Sequence, residues 1–349
     1  MRGRCFDRRR FWIFTLLAMG LSSAPAIAEV VTLGAPAVIT NAPFFIAEAN
    51  GYFKNEGLSV NIIGFDSAAK MIPSLGTGEL DVGAGAPSVG LYNAVARGVD
   101  IKIVADKGHA APGYDWQALM VRKALIDSGK FKSFKDLKGL RVATAAKGAT
   151  ETSILNVALE RGGLTLKDVD QLYLPFTEQA AAFANGAIDA SLTTEPTITY
   201  IVRAGTAVPF VGVDKFYPNH QTAVVLYGGP FIKKHPEAAK KFMVAYLRGV
   251  RFYNGALAHG QLAGPNADRV IAILIRYGKI KDPTIYHAVA ASACDPDGNL
   301  DMASLSKDLR FFEDRGDISG KVMLDQVVDT SFARAAVAEL GPYHQTTKQ

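Results

Sequence analysis

The tetrapeptides Gly78-Glu79-Leu80-Asp81 and Gly186-Ala187-Ile188-Asp189 occupy the same position in two similar halves of this sequence. In each one, a glycine that can take a positive φ ends a predicted helix, and an aspartate lies in a predicted strand three residues later. Glycines at helix ends are common to all βαβ units, but offsets that match at several places favour related halves. The sequence therefore predicts two similarly wound lobes.

The same spacing recurs upstream of both tetrapeptides. A predicted helix ends at Gly51 and a predicted strand ends fourteen residues later at Phe65, while the second half has Gly162 and Phe176 at the same separation. From Val30 onward, short apolar strands alternate with helical patterns, which is typical of a mostly parallel sheet. We therefore predict an α/β fold.

Two segments interrupt this alternation. Residues 101–121 hold two predicted strands around a Gly/Pro-bearing stretch, and residues 211–227 hold a return path. We interpret both as hinge strands that cross between the lobes, and we expect the helices beyond Pro230 to pack on the first lobe. The predicted domains are a signal peptide at 1–28, lobe 1 at 29–112 plus 215–349, and lobe 2 at 113–214. Because ligands of open α/β sheets bind beyond the carboxyl ends of the strands, two facing sheets make a cleft.

The positive charge of the chain is concentrated at its start. The formal net charge of the 349 residues is +5, but residues 1–28 contain five arginines and one acid. The remainder has 33 basic and 32 acidic side chains, a net charge of +1. Nucleic-acid-binding domains carry a basic surface in their folded part, so we expect no nucleic-acid partner.

Residues 1–28 have the features of an export signal. An arginine-rich start precedes the apolar run 11–21 and the small-x-small site Ala26-Ile27-Ala28. The apolar run is too short to span a bilayer as a helix. Arg8-Arg9-Arg10-Phe11 also fits the twin-arginine pattern, although Asp7 occupies the place of the usual Ser or Thr. We favour the Sec route and expect a periplasmic protein.

Few side chains point to catalysis or to a cofactor. The six histidines show no paired metal-ligand spacing, and cleavage removes Cys5 and leaves Cys294, so neither a cysteine-rich metal site nor a disulfide is expected. The run 83–88 imitates the start of a dinucleotide fingerprint, but Ser88 replaces its third glycine and Pro87 lacks an amide that a phosphate would need. We expect no cofactor, no metal and no catalytic residue.

The loop 145–152 is the clearest candidate site. Gly148 lets backbone amides approach a ligand, the helix that opens there presents unpaired N–H groups, and Lys147 adds a positive charge. Thr150 and Thr152 add hydroxyl donors, so the loop can seat a small anion. An alternative stays open: Thr150 caps the helix, and Glu151 complements its dipole.

Loop residues at the other strand ends complete the predicted cleft, with aromatic walls and a few polar groups. Phe44, Tyr114 and Trp116 could enclose a flat molecule. Glu195 would repel a simple anion unless it meets an ammonium group or a ring N–H. The candidate ligand-binding residues are Thr40, Asn41, Phe44, Asp66, Ser67, Ala86, Ser88, His109, Tyr114, Trp116, Lys147, Gly148, Ala149, Thr150, Thr152, Phe176, Thr194 and Glu195.

Several of these stretches resemble one protein family. The segments 41–47 (NAPFFIA), 51–58 (GYFKNEGL), 78–83 (GELDVG) and 134–142 (FKDLKGLRV), in this order, are similar to the substrate-binding proteins of the sulfonate, taurine and nitrate ABC importers. Relatives of that family bind pyrimidine vitamin precursors and other small aromatics. The resemblance covers about residues 30–255.

The resemblance implies a type II periplasmic-binding-protein fold with two hinge strands. It also implies a monomeric receptor that closes on a small ligand and delivers it to a membrane permease with a separate ATPase. In that family the loops that match Asn41, Ser67, Ser88, 148–152 and Glu195 face the cleft. A taurine-like zwitterion or a small aromatic acid fits at least as well as nitrate.

Two other functions remain open. One is an exported enzyme on the same scaffold, because a fungal branch of the superfamily makes a pyrimidine with a cysteine-rich motif; this sequence lacks that motif. The other is a sensor lobe that presents its ligand to a membrane kinase.

Overall fold

The computed structural model describes residues 28–278 and 280–344. The predicted signal peptide lies outside the described residues except for Ala28. Within the described ranges the strands are β1 (Glu29–Pro36), β2 (Leu58–Phe65), β3 (Val82–Gly85), β4 (Ile101–Gly108), β5 (Gln117–Arg122), β6 (Arg141–Thr144), β7 (Asp170–Tyr173), β8 (Ala190–Thr194), β9 (Ala207–Gly212), β10 (Ala223–Gly228), β11 (Leu257–Ala258) and β12 (Gln261–Leu262).

Helices follow most of these strands. They are α1 (Ala42–Ala49), α2 (Tyr52–Asn55), α3 (Ile72–Thr77), α4 (Val89–Ala96), α5 (Lys123–Asp127), α6 (Glu151–Arg161), α7 (Phe176–Ala184), α8 (Thr197–Arg203), α9 (Val213–Phe216), α10 (Gly229–Lys234), α11 (Pro236–Asn254), α12 (Ala267–Tyr277), α13 (Pro283–Ala288), α14 (Met302–Asp314), α15 (Leu324–Val327) and α16 (Ser331–Leu340). Over the described ranges, no helix combines the length and apolarity that a bilayer crossing requires.

Ten strands form two five-stranded sheets with the same internal pattern. The first sheet has the order β2-β1-β3-β10-β4 and the second has the order β7-β6-β8-β5-β9. In the first, β1 runs parallel to β2 and β3, and β10 runs antiparallel to β3 and β4. In the second, β6 runs parallel to β7 and β8, and β5 runs antiparallel to β8 and β9. The predicted two-lobed α/β fold is confirmed.

The chain passes between the sheets twice. β4 lies in the first sheet and β5 in the second, while β9 lies in the second sheet and β10 in the first. The strand that follows each crossing is the antiparallel strand of its new sheet. The predicted domain boundaries, after residues 112 and 214, fall within the crossing segments 109–116 and 213–222 and stay a prediction. We use lobe 1 and lobe 2 for the parts that carry the first and second sheets.

Asp81 and Asp189 play the same role in the two sheets. The Asp81 carboxylate accepts hydrogen bonds from the backbone N–H and the hydroxyl of Thr32 in β1, both at 2.8 Å. The Asp189 carboxylate accepts from the backbone N–H of Arg141 in β6 at 3.1 Å and from its guanidinium. The backbone carbonyl of Asp81 also accepts a hydrogen bond from the N–H of Gly228 in β10 at 2.9 Å. The carbonyl of Asp189 accepts one from the N–H of Arg122 in β5, also at 2.9 Å. Each aspartate thus joins three strands of its sheet.

The predicted correspondence of Gly51 with Gly162 is wrong by one residue. Gly51 has φ 71° and Gly163 has φ 68°, whereas Gly162 has φ −90° and ends α6. A Cβ on Gly162 would lie 2.6 Å from the backbone of Phe134, so this glycine is required by close packing. The predicted strand end at Phe176 is also wrong, because β7 ends at Tyr173 and Phe176 opens α7.

The C-terminal helices pack on lobe 1, as predicted. α11 buries Phe242 and Tyr246 in the hydrophobic core that also holds residues of β1, β3, α1, α12 and α16. A second core of the same lobe packs α14 against α3 and α4. Lobe 2 has its own cores on the two faces of the second sheet.

We predict that Asp81→Ala lowers the free energy of unfolding by about 1–3 kcal/mol, because it leaves the half-buried N–H of Thr32 without its acceptor. Urea denaturation followed by circular dichroism measures the change. The control is Asp127→Ala, which removes an exposed ion pair with Lys123 and should change the free energy by less than about 0.5 kcal/mol. Equal effects of the two substitutions would contradict the role assigned to Asp81.

Candidate ligand-binding cleft

A cavity lies between the two sheets. Its lobe 1 wall follows the ends of β1, β2 and β3, and its lobe 2 wall follows the ends of β6, β7 and β8. The end of β4 and the start of β5 close its floor. The cavity is therefore where the carboxyl ends of the parallel strands face each other, as the sheet topology requires.

Half of the predicted residues line this cavity. The lobe 1 members follow β1, β2 and β3, the lobe 2 members follow β6, β7 and β8, and Trp116 precedes β5. The lining candidates are Thr40, Ser67, Ala86, Ser88, Trp116, Ala149, Thr150, Phe176 and Thr194.

Phe44 does not lie at the cavity, contrary to the sequence interpretation. It is fully buried in the lobe 1 core, where its ring stacks on Tyr246 at 4.6 Å between centroids. Tyr114 packs against the edge of the same core. The predicted sandwich of three aromatics is therefore wrong, and the aromatic walls of the cavity are Trp116 and Phe176.

Other predicted residues serve neighbouring contacts. Asp66 forms an exposed ion pair with Lys70. The imidazole of His109 contacts the Asp106 carboxylate at 3.2 Å; burial lowers the pKa of His109, but that hydrogen bond and the negative charges around it raise it overall. Lys147 is exposed and does not line the cavity. Thr152 is buried and does not line the cavity.

Glu195 is buried, but it does not line the cavity. Its carboxylate accepts from the backbone N–H of Thr199 and its hydroxyl, both at 3.0 Å, and from the N–H of Ala290 at 3.2 Å. Burial raises the pKa of Glu195 to about 7, although these hydrogen bonds favour its ionised form. The carboxylate thus connects α8 to the segment that follows α13. At the other end of α8, the guanidinium of Arg203 donates to the hydroxyl of Thr284 at 2.7 Å.

The loop between β6 and α6 bridges the lobes. The carbonyl of Gly148 accepts from the N–H of Val89 at 2.9 Å, and the hydroxyl of Thr150 donates to the carbonyl of Pro87 at 2.9 Å. Thr150 precedes α6 but makes no side-chain hydrogen bond to it, so the interpretation of Thr150 as a helix cap is wrong. Burial raises the pKa of Glu151, which lines the cavity, to about 7.

Lys107 lines the cavity floor, and the sequence interpretation missed it. Its side chain is fully buried, and its ammonium donates to the hydroxyl of Thr40 at 2.7 Å and to the amide oxygen of Asn41 at 3.0 Å. Asn41 therefore supports the site without lining the cavity. Strand alternation could not have found Lys107, because the register of β4 with β10 is irregular at two places and Ile103 and Ala105 pack in different cores.

Two side chains of the lining hold a buried polar atom without a hydrogen-bond partner among the described residues. These atoms are the hydroxyl of Ser67 and the amide nitrogen of Gln117. The other side of the Gln117 amide accepts from Thr222 at 3.2 Å, which fixes the orientation of the amide group. Buried polar groups usually have partners, so these two atoms, which lie in the cavity lining, are available to hydrogen-bond to a ligand.

A second, roomier cavity adjoins the first. Pro36 and Val38 border both cavities. The second one is lined by aromatic side chains from both lobes and the C-terminal helices, including Phe65, Tyr200 and Tyr277. The space between the lobes therefore extends past the first cavity over an apolar surface.

Two curated relatives share a quarter of their residues with this chain. Both are named "Putative aliphatic sulfonates-binding protein". The one from Escherichia coli K12 is 26% identical over 177 residues, covering 50% of this chain and 52% of the relative. The one from Bacillus subtilis 168 is 27% identical over 215 residues, covering 60% and 61%. The chain thus spans between half and two thirds of the length of these relatives.

Solved structures share the fold over nearly the whole chain. The alkanesulfonate-binding protein SsuA of Xanthomonas axonopodis pv. citri, bound to MOPS, has a TM-score of 0.68 at 16% identity, covering 88% of this chain and 99% of that one. The nitrate-binding protein NrtA of Synechocystis PCC 6803 has a TM-score of 0.72 at 15% identity, covering 90% and 89%. The desulfurization enzyme DSZB has a TM-score of 0.60 at 15% identity, covering 89% and 99%.

These likenesses establish the periplasmic-binding-protein fold, with its two sheets and crossing strands. The sequence profile of the family described as "NMT1/THI5 like" matches residues 39–258, which is more than half of the chain. The chain therefore belongs to the NMT1/THI5-like family.

Proposed function

We propose that this protein is an exported solute-binding receptor of an ABC importer, working as a monomer in the periplasm after Sec export. It captures a small ligand between its lobes and presents it to a permease with a separate ATPase. The observation that carries the proposal is the cavity between the sheets, which both lobes line and into which Ser67 and Gln117 bring unpartnered polar atoms. The sulfonate- and nitrate-binding relatives support the same assignment.

Closure of the lobes supplies the mechanism. Besides the bonds of Gly148 and Thr150, the N–H of Ile39 in lobe 1 donates to the carbonyl of Glu195 in lobe 2 at 3.1 Å. These contacts form only when the lobes meet, and a ligand that touches both walls adds its binding energy to them. Two-lobed receptors close by rotation at short hinge segments, and the crossings at 109–116 and 213–222 are the segments available for it.

The lining favours a small organic acid over a bare inorganic anion. Trp116 and Phe176 line the cavity and offer apolar contact that a bare inorganic anion would not use. Because the Glu195 carboxylate is held by Thr199 and Ala290 away from the cavity, it does not repel a ligand anion. A sulfonate or carboxylate on a short aliphatic or aromatic body fits these walls, and a pyrimidine or nitrate fits them less fully.

We predict micromolar or tighter binding for at least one member of a panel of ethanesulfonate, benzenesulfonate, taurine, benzoate, nitrate and a pyrimidine. Micromolar affinity requires about −8 kcal/mol, which polar contacts and apolar burial in the cleft together can provide. Isothermal titration calorimetry measures it, and mass spectrometry of the released compound tests for turnover. No saturable heat with any member would contradict a receptor, whereas recovery of a changed compound would favour an enzyme on the same scaffold.

We predict that Gly148→Ala weakens ligand binding by hindering closure. The residue has φ 68°, and its added Cβ would lie 2.8 Å from the Cβ of Val89 in the other lobe. Gly139→Ala is the matched control, because Gly139 in lobe 2 has φ 76° and open space around it; the two substitutions thus carry the same left-handed strain of about 1 kcal/mol.

Calorimetry with the tightest-binding member of the panel should show a loss of about tenfold or more for Gly148→Ala and a near-normal affinity for Gly139→Ala. Adding Val89→Gly to Gly148→Ala removes the Cβ that the new methyl group meets and should restore part of the affinity. Equal affinities of the two glycine variants would place the closing contact elsewhere.

A further inference from the structure

Lys107 is a fully buried basic side chain at the floor of the cavity. Thr40 and Asn41 accept two of its hydrogen bonds, at 2.7 and 3.0 Å, and both partners are neutral. An ammonium group has three donors. One donor is therefore left for a group inside the cavity that Lys107 lines.

Among the described residues, no carboxylate packed around Lys107 forms a direct ion pair with its ammonium. From the same strand, the Asp106 carboxylate is engaged by the N–H of Gly108 at 3.0 Å, by His109 and by the N–H of Asp295 at 2.7 Å. From the segment after α13, Cys294 donates its thiol to the carbonyl of Lys107, at 3.1 Å.

The remaining elements around the ammonium contribute neutral groups or a distant acid. The loop after β1 supplies Thr40 and Asn41, and β5 and the crossing before β10 supply Gln117 and Thr222. Across the cavity, α6 of lobe 2 presents Glu151. Burying an unpaired charge is costly, so a negatively charged group of a ligand would be stabilised beside the Lys107 ammonium at the floor of the cavity.

We propose that Lys107 is the charged anchor of the ligand's acidic group, with the amide of Gln117 and the hydroxyl of Ser67 as the neutral donors beside it. The inference rests on the proposed receptor function and adds to it a ligand with one anionic group directed at the lobe 1 floor. A cation–anion hydrogen bond in a desolvated cavity is roughly twice as strong as a neutral one. An uncharged analogue of the same shape would leave the ammonium unpaired and is disfavoured.

This geometry couples binding to protonation. Burial lowers the pKa of Lys107 to about 7, against the weaker opposing effect of Cys294 and Asp106. An anion beside the ammonium raises that pKa, so binding takes up a proton where the empty site is neutral, which is above pH 7. Below about pH 6 Lys107 is already charged, and no uptake is expected. The affinity should therefore fall above pH 7, by at most about tenfold per pH unit.

Titration of Glu151 also lowers the affinity for an anion as the pH rises, so its effect must be measured separately from that of Lys107. Its pKa of about 7 means that it gains a negative charge over the same pH range, and this charge also repels an anion. The pH series is therefore run in wild-type protein and in Glu151→Gln. The probes are ethanesulfonate and benzenesulfonate, because a sulfonate stays ionised from pH 6 to 9 and contributes no protons.

The decisive experiment is calorimetry of full-length mature protein with both probes, in two buffers of different ionisation enthalpy at pH 6 and pH 8. We expect ligand binding to the Glu151→Gln variant to be accompanied by the uptake of a fraction of a proton at pH 8 and of none at pH 6. We expect Lys107→Met to lose roughly 10–100-fold in affinity at pH 6 and, combined with Glu151→Gln, to show no proton uptake. Lys102→Met, on the same strand and outside the cavity lining, is the matched control and should bind as wild type.

The outcomes separate the inference from the proposed function. Sulfonate binding by Lys107→Met within twofold of wild type overturns the role of Lys107 and leaves the receptor intact. Zero proton uptake by Glu151→Gln at pH 8 overturns the coupling of binding to protonation. Absence of binding of both probes and of the whole panel by wild type overturns both. Lys107→Gln keeps a donor without the charge and serves if Lys107→Met does not fold; it should also lose affinity and proton uptake.

Discussion

The architecture depends on one set of hydrogen bonds, which a single aspartate makes in each sheet. Asp81 and Asp189 each lie just before a central parallel strand and join it to its parallel neighbour. Each also accepts a hydrogen bond from the end of the antiparallel strand that arrives from the other lobe. With the strand starts fixed, the carboxyl ends are fixed as well, and they meet across the gap. The positions of Thr40 and Thr150 on facing walls follow from that alignment and not from any contact between their own side chains.

Much of the frame could be predicted from the sequence, because its signals are local. The two aspartate tetrapeptides, the strand alternation and the interruptions at 101–121 and 211–227 each depend on a few neighbouring residues, and the structure has the two sheets and crossings that they indicate. The boundary errors are local too. Gly162 and Gly163 both suit a helix end, and only the approach of Phe134 distinguishes them.

The cleft could be predicted only in part, because orientation and packing decide which loop side chains face it. Phe44 follows a strand as Thr40 does, but one helical turn directs it into the core against Tyr246. Glu195 follows Thr194 directly, and its carboxylate turns to the start of α8. Lys107 was missed for the opposite reason, since a lysine inside a strand is usually at the surface.

The contacts of Arg203 with Thr284 and of Glu195 with Ala290 add a further attachment between the lobes, beside the two crossings and the contacts around the cavity. Rotation of lobe 2 must either break these bonds or carry the segment around α13 along with it. Neither Arg203 nor Glu195 lines the first cavity, so the resistance to opening that their bonds create is the same for every ligand. Complexes with weak and with strong ligands would then gain lifetime by the same factor, in addition to what each ligand's own contacts with the two walls contribute.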